Sequence, residues 1–169
     1  IRKILISESQ NISELGDSKQ GFDYKLVKSD VAEFSIGAAA MRKYTFESES
    51  EKYEVLMRAE DAGVYKGEAY LTVDFGTAVD KSPDLDYSVV NDGNVFRAMA
   101  TVANIVEESV KEWLPEVEGV LGSVGYLTFS PYGEEKGEQR AKLFSKYVQD
   151  RLPGSKLESR GKAKYLKLP

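Results

Sequence analysis

Two missing residue types limit the chemistry that this chain can perform. Its 169 residues contain no Cys and no His. Disulfides, thiolate metal sites, cysteine nucleophiles and imidazole acid–base catalysis are therefore excluded. Carboxylates, tyrosine phenols, amines and backbone amides remain as the groups that could act on a ligand.

The carboxylates show no spacing typical of a catalytic or metal site. Glu107 and Glu108 are adjacent, as are Glu134 and Glu135, and adjacent side chains on a helix do not face one another. The Asp84 and Asp86 carboxylates are too few for a calcium site. We therefore predict no metal site and interpret the paired carboxylates as surface charge.

Tyrosine is frequent, with ten residues. Tyr44, Tyr53, Tyr70 and Tyr126 fall within strand-like alternation, which favours core or sheet-surface positions over a role as proton donors.

The segment Asn91-Asp-Gly-Asn94 precedes the clearest helical pattern of the chain. Free amides at a helix start attract anions, so Gly93, Asn94 and Val95 are candidates for binding a phosphate or pyrophosphate. The alternative is an ordinary loop capped by Asn94, because the Asp92 carboxylate would repel an anion.

Positive charge is concentrated at the end of the chain. Residues 136–169 contain ten Lys or Arg and three acidic residues, which gives this segment a net charge of +7. Because the whole chain has a net charge of −5, the first 135 residues have a net charge of −12. This segment could contact a nucleic-acid backbone or an acidic protein surface, or it could be a solvated face. The candidate contacts are Arg140, Lys142, Lys162, Lys164 and Lys167.

The sequence predicts that strands come first in the chain and that helices alternating with strands follow them. Alternation from residue 22 to 76 predicts an antiparallel meander, with turns at Lys28-Ser-Asp30 and at 47–51. Apolar residues at three- and four-residue steps predict a helix from Val95 to Leu114 that Pro115 ends. A buried strand at 124–130, a helix at 137–152 and a final strand at 156–168 follow.

The order predicts a single α+β domain over residues 1–169, with an antiparallel or mixed sheet and two main helices. Residues 1–76 form the meander, and residues 94–169 form a helix-strand-helix-strand unit. No apolar run reaches the length of a membrane span and the start does not resemble a signal peptide. We therefore expect a protein that is neither secreted nor membrane-bound, located in a virion or a host cytoplasm, and able to form a homo-oligomer through an uncovered sheet edge.

About 100 residues of the second half resemble the C-terminal half of the GNAT-type N-acyltransferase fold. The resemblance rests on the strands Tyr70–Phe75 and Val124–Ser130, the helix Val95–Leu114, the Arg140-Ala-Lys-Leu-Phe helix and the closing strand. The chain also looks like poorly characterised tailed-bacteriophage proteins, in which a V-F-x-x-x-T-V-x-x-I-V helix precedes an R-x-K-L-[YF] helix.

The resemblance implies a GNAT-like layout, and an active member would bind acyl-CoA through amides of a glycine-rich turn. Here that turn would be Asn91-Asp-Gly-Asn, with one glycine and an added carboxylate. Many members use a Tyr in an L-Y pair as general acid, whereas this chain has Leu143-Phe144. Tyr147 and Tyr132 are the candidate substitutes for that acid.

Three functions follow in order of preference. The first is a phage-type accessory or virion protein with a degenerate acyltransferase-like fold, which has no cofactor and binds another protein of phage or host. The second is an acetyl-CoA-dependent N-acyltransferase. The third is nucleic-acid binding through the basic C-terminal third.

Overall fold

The computed structural model describes residues 20–34, 37–49, 51–60, 63–78, 85–86, 95–129, 135–161 and 163–169. These residues form an α+β fold with a nine-stranded mixed sheet and three helices. In chain order the elements are β1 (Tyr24–Phe34), β2 (Gly37–Glu47), β3 (Lys52–Glu60), β4 (Val64–Tyr65), β5 (Glu68–Ala78), β6 (Leu85–Asp86), α1 (Val95–Glu112), α2 (Leu114–Leu121), β7 (Val124–Phe129), α3 (Glu135–Arg151), β8 (Lys156–Arg160) and β9 (Ala163–Lys167).

The strands lie in the order β1-β2-β3-β5-β7-β9-β8, and the short strands β4 and β6 also pair with β5. The pairs β1–β2, β2–β3 and β3–β5 are antiparallel, as the alternating pattern predicted. The β5–β7 pair is parallel, with α1 and α2 in the crossover between them. The sheet is therefore antiparallel over its first half and mixed over its second.

The three helices pack on one face of the sheet. Cross-strand pairing places Tyr44, Val55 and Phe75 side by side on that face. The Tyr44 phenol reaches Ser109 of α1, and the Phe75 ring contacts Phe144 of α3. The side chains that are buried between the helices and the sheet form one continuous core, which also contains Trp113 at the α1–α2 junction.

The other face of the sheet carries none of the described helices, and we call it the helix-free face. One row of cross-strand neighbours on this face comprises Met41, Arg58, Thr72, Thr128, Tyr165 and Glu158. The β4 hairpin folds over part of this face and brings the Tyr65 ring into contact with Tyr165.

The predicted turn at Lys28-Ser-Asp30 is wrong, because these residues lie inside β1. The pairing of β1 with β2 shifts register between Leu26 and Lys28. A β-bulge explains both the irregular alternation and the turn-like composition. The reversal lies further along the chain, between the end of β1 at Phe34 and the start of β2 at Gly37.

The expectation of two main helices is incomplete, because a further helix, α2, follows α1 directly and contains Pro115. Pro115 occupies the first turn of α2, where a missing backbone N–H costs nothing. The predicted final strand is also divided. Gly161, with φ of +59°, reverses the chain between β8 and β9.

Candidate functional site

Any acyl-CoA cleft would lie between β5 and β7, and three aromatic rings occupy the helical side of this strand pair. Parallel pairing runs as far as Val73 opposite Phe129, and β5 continues to Ala78 while pairing with β3 and β6. The Phe144 ring centre lies 4.7 Å from that of Phe75 and 5.1 Å from that of Phe129. Phe144 is 1% exposed, so the space beside the last paired residues is filled with packed side chains.

The predicted cofactor-binding and acid residues are only partly within the described structure. Val95 is the first residue of α1, whereas Gly93, Asn94 and Tyr132 lie outside the described residues. Tyr147 is on α3 and is buried. The Arg151 guanidinium lies 5.9 Å from the centre of the Tyr147 ring and donates a hydrogen bond to the Tyr147 carbonyl.

The predicted basic contacts do not share one surface. Arg140 and Lys142 belong to α3, where the Lys142 side chain is exposed. Lys164 and Lys167 are both on β9, but Lys164 neighbours Ser159 on the helical side and Lys167 neighbours Tyr126 on the helix-free face. Lys162 lies outside the described residues. A single nucleic-acid track through Lys164 and Lys167 therefore has no support in this geometry.

Four tyrosines form a cluster on the helix-free face, and we call it the tyrosine cluster. It comprises Tyr65, Tyr70, Tyr126 and Tyr165. Tyr65 and Tyr165 stack with ring centres 3.9 Å apart, and Tyr126 meets the Tyr65 ring edge-on at 4.8 Å. Tyr65 and Tyr126 are buried, whereas Tyr70 and Tyr165 are half-buried. Two rings of the cluster are thus partly exposed on the surface, and the two buried rings support them.

A tight hairpin turn holds Tyr65 over the sheet. Lys66 and Gly67 connect β4 to β5 with φ of 52° and 85°. Two successive positive φ angles define a turn of the kind that normally selects Asn and Gly. A lysine at such a position is unusual, and its Nζ donates to the Glu158 carboxylate on β8. This hydrogen bond lowers the pKa of Glu158 and raises the pKa of Lys66.

Exposed cations surround the tyrosine cluster, and we call them the basic rim. Lys156, Arg160 and Lys167 lie on the helix-free face of the β8–β9 hairpin, and Lys66 lies on the β4 turn. Glu158 is the carboxylate placed among them. Aromatic side chains surrounded by Arg and Lys favour contact with an acidic protein surface.

A partly buried group of hydrogen-bonded side chains lies between α1 and the first two strands. Glu108 accepts hydrogen bonds from Tyr24 at 2.7 Å and Tyr44 at 3.3 Å, and Arg42 donates to the Tyr44 phenol at 3.0 Å. Burial and the Glu108 carboxylate raise the pKa of Tyr24. Burial also raises the pKa of Tyr44. Both phenols therefore remain protonated donors at neutral pH, and the group connects β1 and β2 to α1.

The Asp74 carboxylate is buried on the helix-free face of β5. One oxygen accepts a hydrogen bond from Arg58 of β3, and the other has no hydrogen-bond partner among the described residues. Within the described ranges, no cluster of three or more acidic residues could hold a metal ion. None of the described helices has the length and apolar character needed to cross a membrane.

Comparison with protein-family models, curated proteins and solved structures returned no match. The functional argument therefore rests on the residues themselves. The sequence pattern placed Tyr70 and Tyr126 on the sheet, but it did not associate them with Tyr65 and Tyr165. Gly67 before an alternating strand indicates a turn near Tyr65, but a turn signal does not specify the contact of Tyr65 with Tyr165.

Proposed function

We propose that this protein acts by binding an acidic surface of another protein, on a scaffold with a GNAT-like layout that does not perform acyl transfer. The observation that carries the proposal is the packing of Phe144 between Phe75 and Phe129. In the family that the sequence resembles, the tyrosine of the L-Y pair gives a proton to the leaving thiolate. Phe144 has no proton to give, and its ring packs against side chains of both β5 and β7.

The strand order supports the layout part of the proposal. A run of antiparallel strands leads to β5, and β5 then pairs in parallel with β7 across a helical crossover. The helix α3 and the closing strand β9 follow in the order that the resemblance implies, whereas α2 and β8 are additional elements. A scaffold of this kind can keep its sheet while its activity differs, because function depends on the site and not on the fold.

The tyrosine cluster and the basic rim support the binding part of the proposal. Tyrosine and arginine are enriched at the energetic centres of protein interfaces, where aromatic rings bury a large area at little entropic cost. Tyr70 and Tyr165 supply partly exposed rings, and Lys156, Arg160 and Lys167 supply charge at the margin. Complementary charge of this kind accelerates association and selects acidic partners.

We place the protein among phage-type accessory or virion proteins, acting in the virion or the host cytoplasm. The support for this assignment is the sequence resemblance of the two helices.

Charge reversal on the basic rim tests the binding surface. The Lys156→Glu/Lys167→Glu variant should lose capture of an acidic partner protein from phage-infected cells. The matched control, Lys142→Glu/Lys146→Glu, changes the same charge on the exposed side of α3 and should retain capture. If both variants capture the acidic partner protein equally, or if only the control variant loses this capture, the assigned binding surface is wrong.

One observation favours acyl-CoA-dependent transfer as a second candidate. β5 and β7 pair in parallel with α1 and α2 in the crossover between them, which agrees with the layout that the resemblance implies. On this alternative, amides near Gly93 would hold the pyrophosphate and Tyr147 or Tyr132 would act as acid. Acetyl-CoA would then stabilise the folded chain by mass action.

A further inference from the structure

The first strand of the sheet is an edge that no described strand covers. β1 is terminal in the strand order and is 11 residues long. All six residues from Lys25 to Asp30 are exposed, including Leu26 at 42% and Val27 at 55%. An edge of this length with free backbone groups and exposed apolar side chains is a template for pairing with another strand.

The sequence of this edge is complementary to itself when it is reversed about Ser29. Lys28 and Asp30 are placed symmetrically and have opposite charges. Val27 mirrors Val31, and both are apolar.

We infer that two copies of the chain associate by antiparallel pairing of their β1 strands about a two-fold axis at Ser29. Each Lys28 then lies opposite Asp30 of the second copy, and apolar residues lie opposite apolar residues on both sides. The two sheets become one continuous sheet, with both helical layers on the same side. A two-fold contact of this kind is closed, so it produces a dimer and not a fibre.

The charges select this register over its neighbours. Lys28 and Asp30 of one chain already attract each other on the same face of β1, with Nζ and Oδ2 2.9 Å apart and both side chains more than half exposed. Pairing about Lys28 or about Asp30 would place like charges directly opposite, which is unfavourable in a sheet. Pairing about Ser29 gives each charge an opposite partner in the second copy.

The bulge is compatible with this pairing. Two residues of a bulged strand lie opposite one residue of their partner, so Leu26 and Val27 can both pack against Val31 of the second copy. The contact is short compared with a standard protein interface, and we therefore expect a weak association that depends on concentration. This inference is independent of the proposed function, because β1 is at the opposite end of the sheet from the basic rim.

Sedimentation equilibrium with charge-exchanged variants tests the pairing. The wild-type chain should show a monomer–dimer equilibrium below about 1 mM. The variants Lys28→Asp and Asp30→Lys should each remain monomeric, because each places like charges opposite in the paired register. An equal mixture of the two should form a heterodimer, and the double variant carrying both changes should recover the wild-type dimer.

Lys146→Glu on α3 is the control for altered net charge, and it should dimerise as the wild type does. Circular dichroism shows whether each variant is folded, and the double variant tests the register even where a single variant is unfolded. A wild-type chain that stays monomeric would overturn the inference. Single variants that dimerise as the wild type does, or a double variant that fails to recover the dimer, would equally overturn it.

Discussion

At the scale of single residues, the account depends most on the Phe144 side chain. Its ring is 1% exposed and contacts Phe75 and Phe129. Replacing it with Ala would remove these contacts and leave a cavity, so we expect Phe144→Ala to lower the free energy of unfolding by about 3–5 kcal/mol. Urea denaturation measures the change, with the exposed Lys142→Ala on the same helix as the control. A cost below about 1 kcal/mol for Phe144→Ala would mean that the junction is not tightly filled.

The phenol of Tyr24 predicts how stability depends on alkaline pH. Burial and Glu108 raise the pKa of Tyr24 in the folded chain, whereas in the unfolded chain it is about 10. The folded state thus retains a proton that the unfolded state loses. The contribution of this group is complete below pH of about 10 and is lost as the pH rises above that value.

We therefore expect the free energy of unfolding of the Tyr24→Phe variant to decrease less steeply with pH than that of the wild type above pH of about 10. At neutral pH the same variant should be about 0.5–1.5 kcal/mol less stable, since it loses the hydrogen bond to Glu108. Urea titrations across pH 7 to about 11 measure both effects. Identical slopes above pH of about 10 in the two proteins would contradict this reading of Tyr24.

At the scale of elements, Gly21 holds the segment before β1 against α1. A Cβ on Gly21 would lie 2.8 Å from Thr101 Oγ1 and 2.9 Å from the Thr101 Cα. The next residue donates its backbone N–H to the same hydroxyl at 2.7 Å. Because a backbone atom of a buried helix cannot yield, Gly21→Ala should cost about 1–3 kcal/mol through overpacking.

Gly125 provides the matched comparison for this prediction. A Cβ there would lie 2.5 Å from a carboxylate oxygen of Glu68, which is the far end of a long side chain, held by one exposed hydrogen bond from Ser123, and can rotate away. We expect Gly125→Ala to change stability by less than about 1 kcal/mol. Thermal unfolding of both variants measures the contrast, and equal losses in both would show that the Thr101 contact does not secure the segment.

The errors in the predicted elements have local causes. Lys28-Ser-Asp30 has turn composition, but pairing with β2 and a bulge hold it within a strand. Pro115 normally ends a helix, yet here it begins one directly after Trp113. Propensity describes a short window of sequence, and tertiary pairing decides between the outcomes that the window allows. The apolar periodicity of α1 extends over 18 residues, and that element was predicted nearly in full.

The candidate site could be predicted only in part for the same reason. Tyr70 and Tyr126 are neighbours because β5 and β7 pair in parallel across a crossover that contains two helices. Tyr165 joins them through β9, and Tyr65 through the β4 hairpin. Contacts between residues so distant in the chain depend on strand order, which alternation does not specify.

At the scale of the whole molecule, the two surfaces occupy opposite ends of one sheet. The basic rim gathers part of the +7 charge of the last 34 residues at β8 and β9. The self-complementary edge is at β1, which is five positions from β9 and six from β8 in the sheet order. A dimer through β1 would therefore carry two basic rims at its two distant ends, and a repeated acidic partner could bind both with increased avidity.

Thermal unfolding with acetyl-CoA tests the central claim, which is that Phe144 closes the β5–β7 junction to a cofactor. We predict that the unfolding midpoint of the wild-type chain does not change as acetyl-CoA is added. A cofactor at 100 times its dissociation constant would add about 2.7 kcal/mol, which is several degrees for a chain of this size. A midpoint that rises with acetyl-CoA concentration, and no longer rises in Gly93→Val, would contradict the claim and establish the transferase alternative.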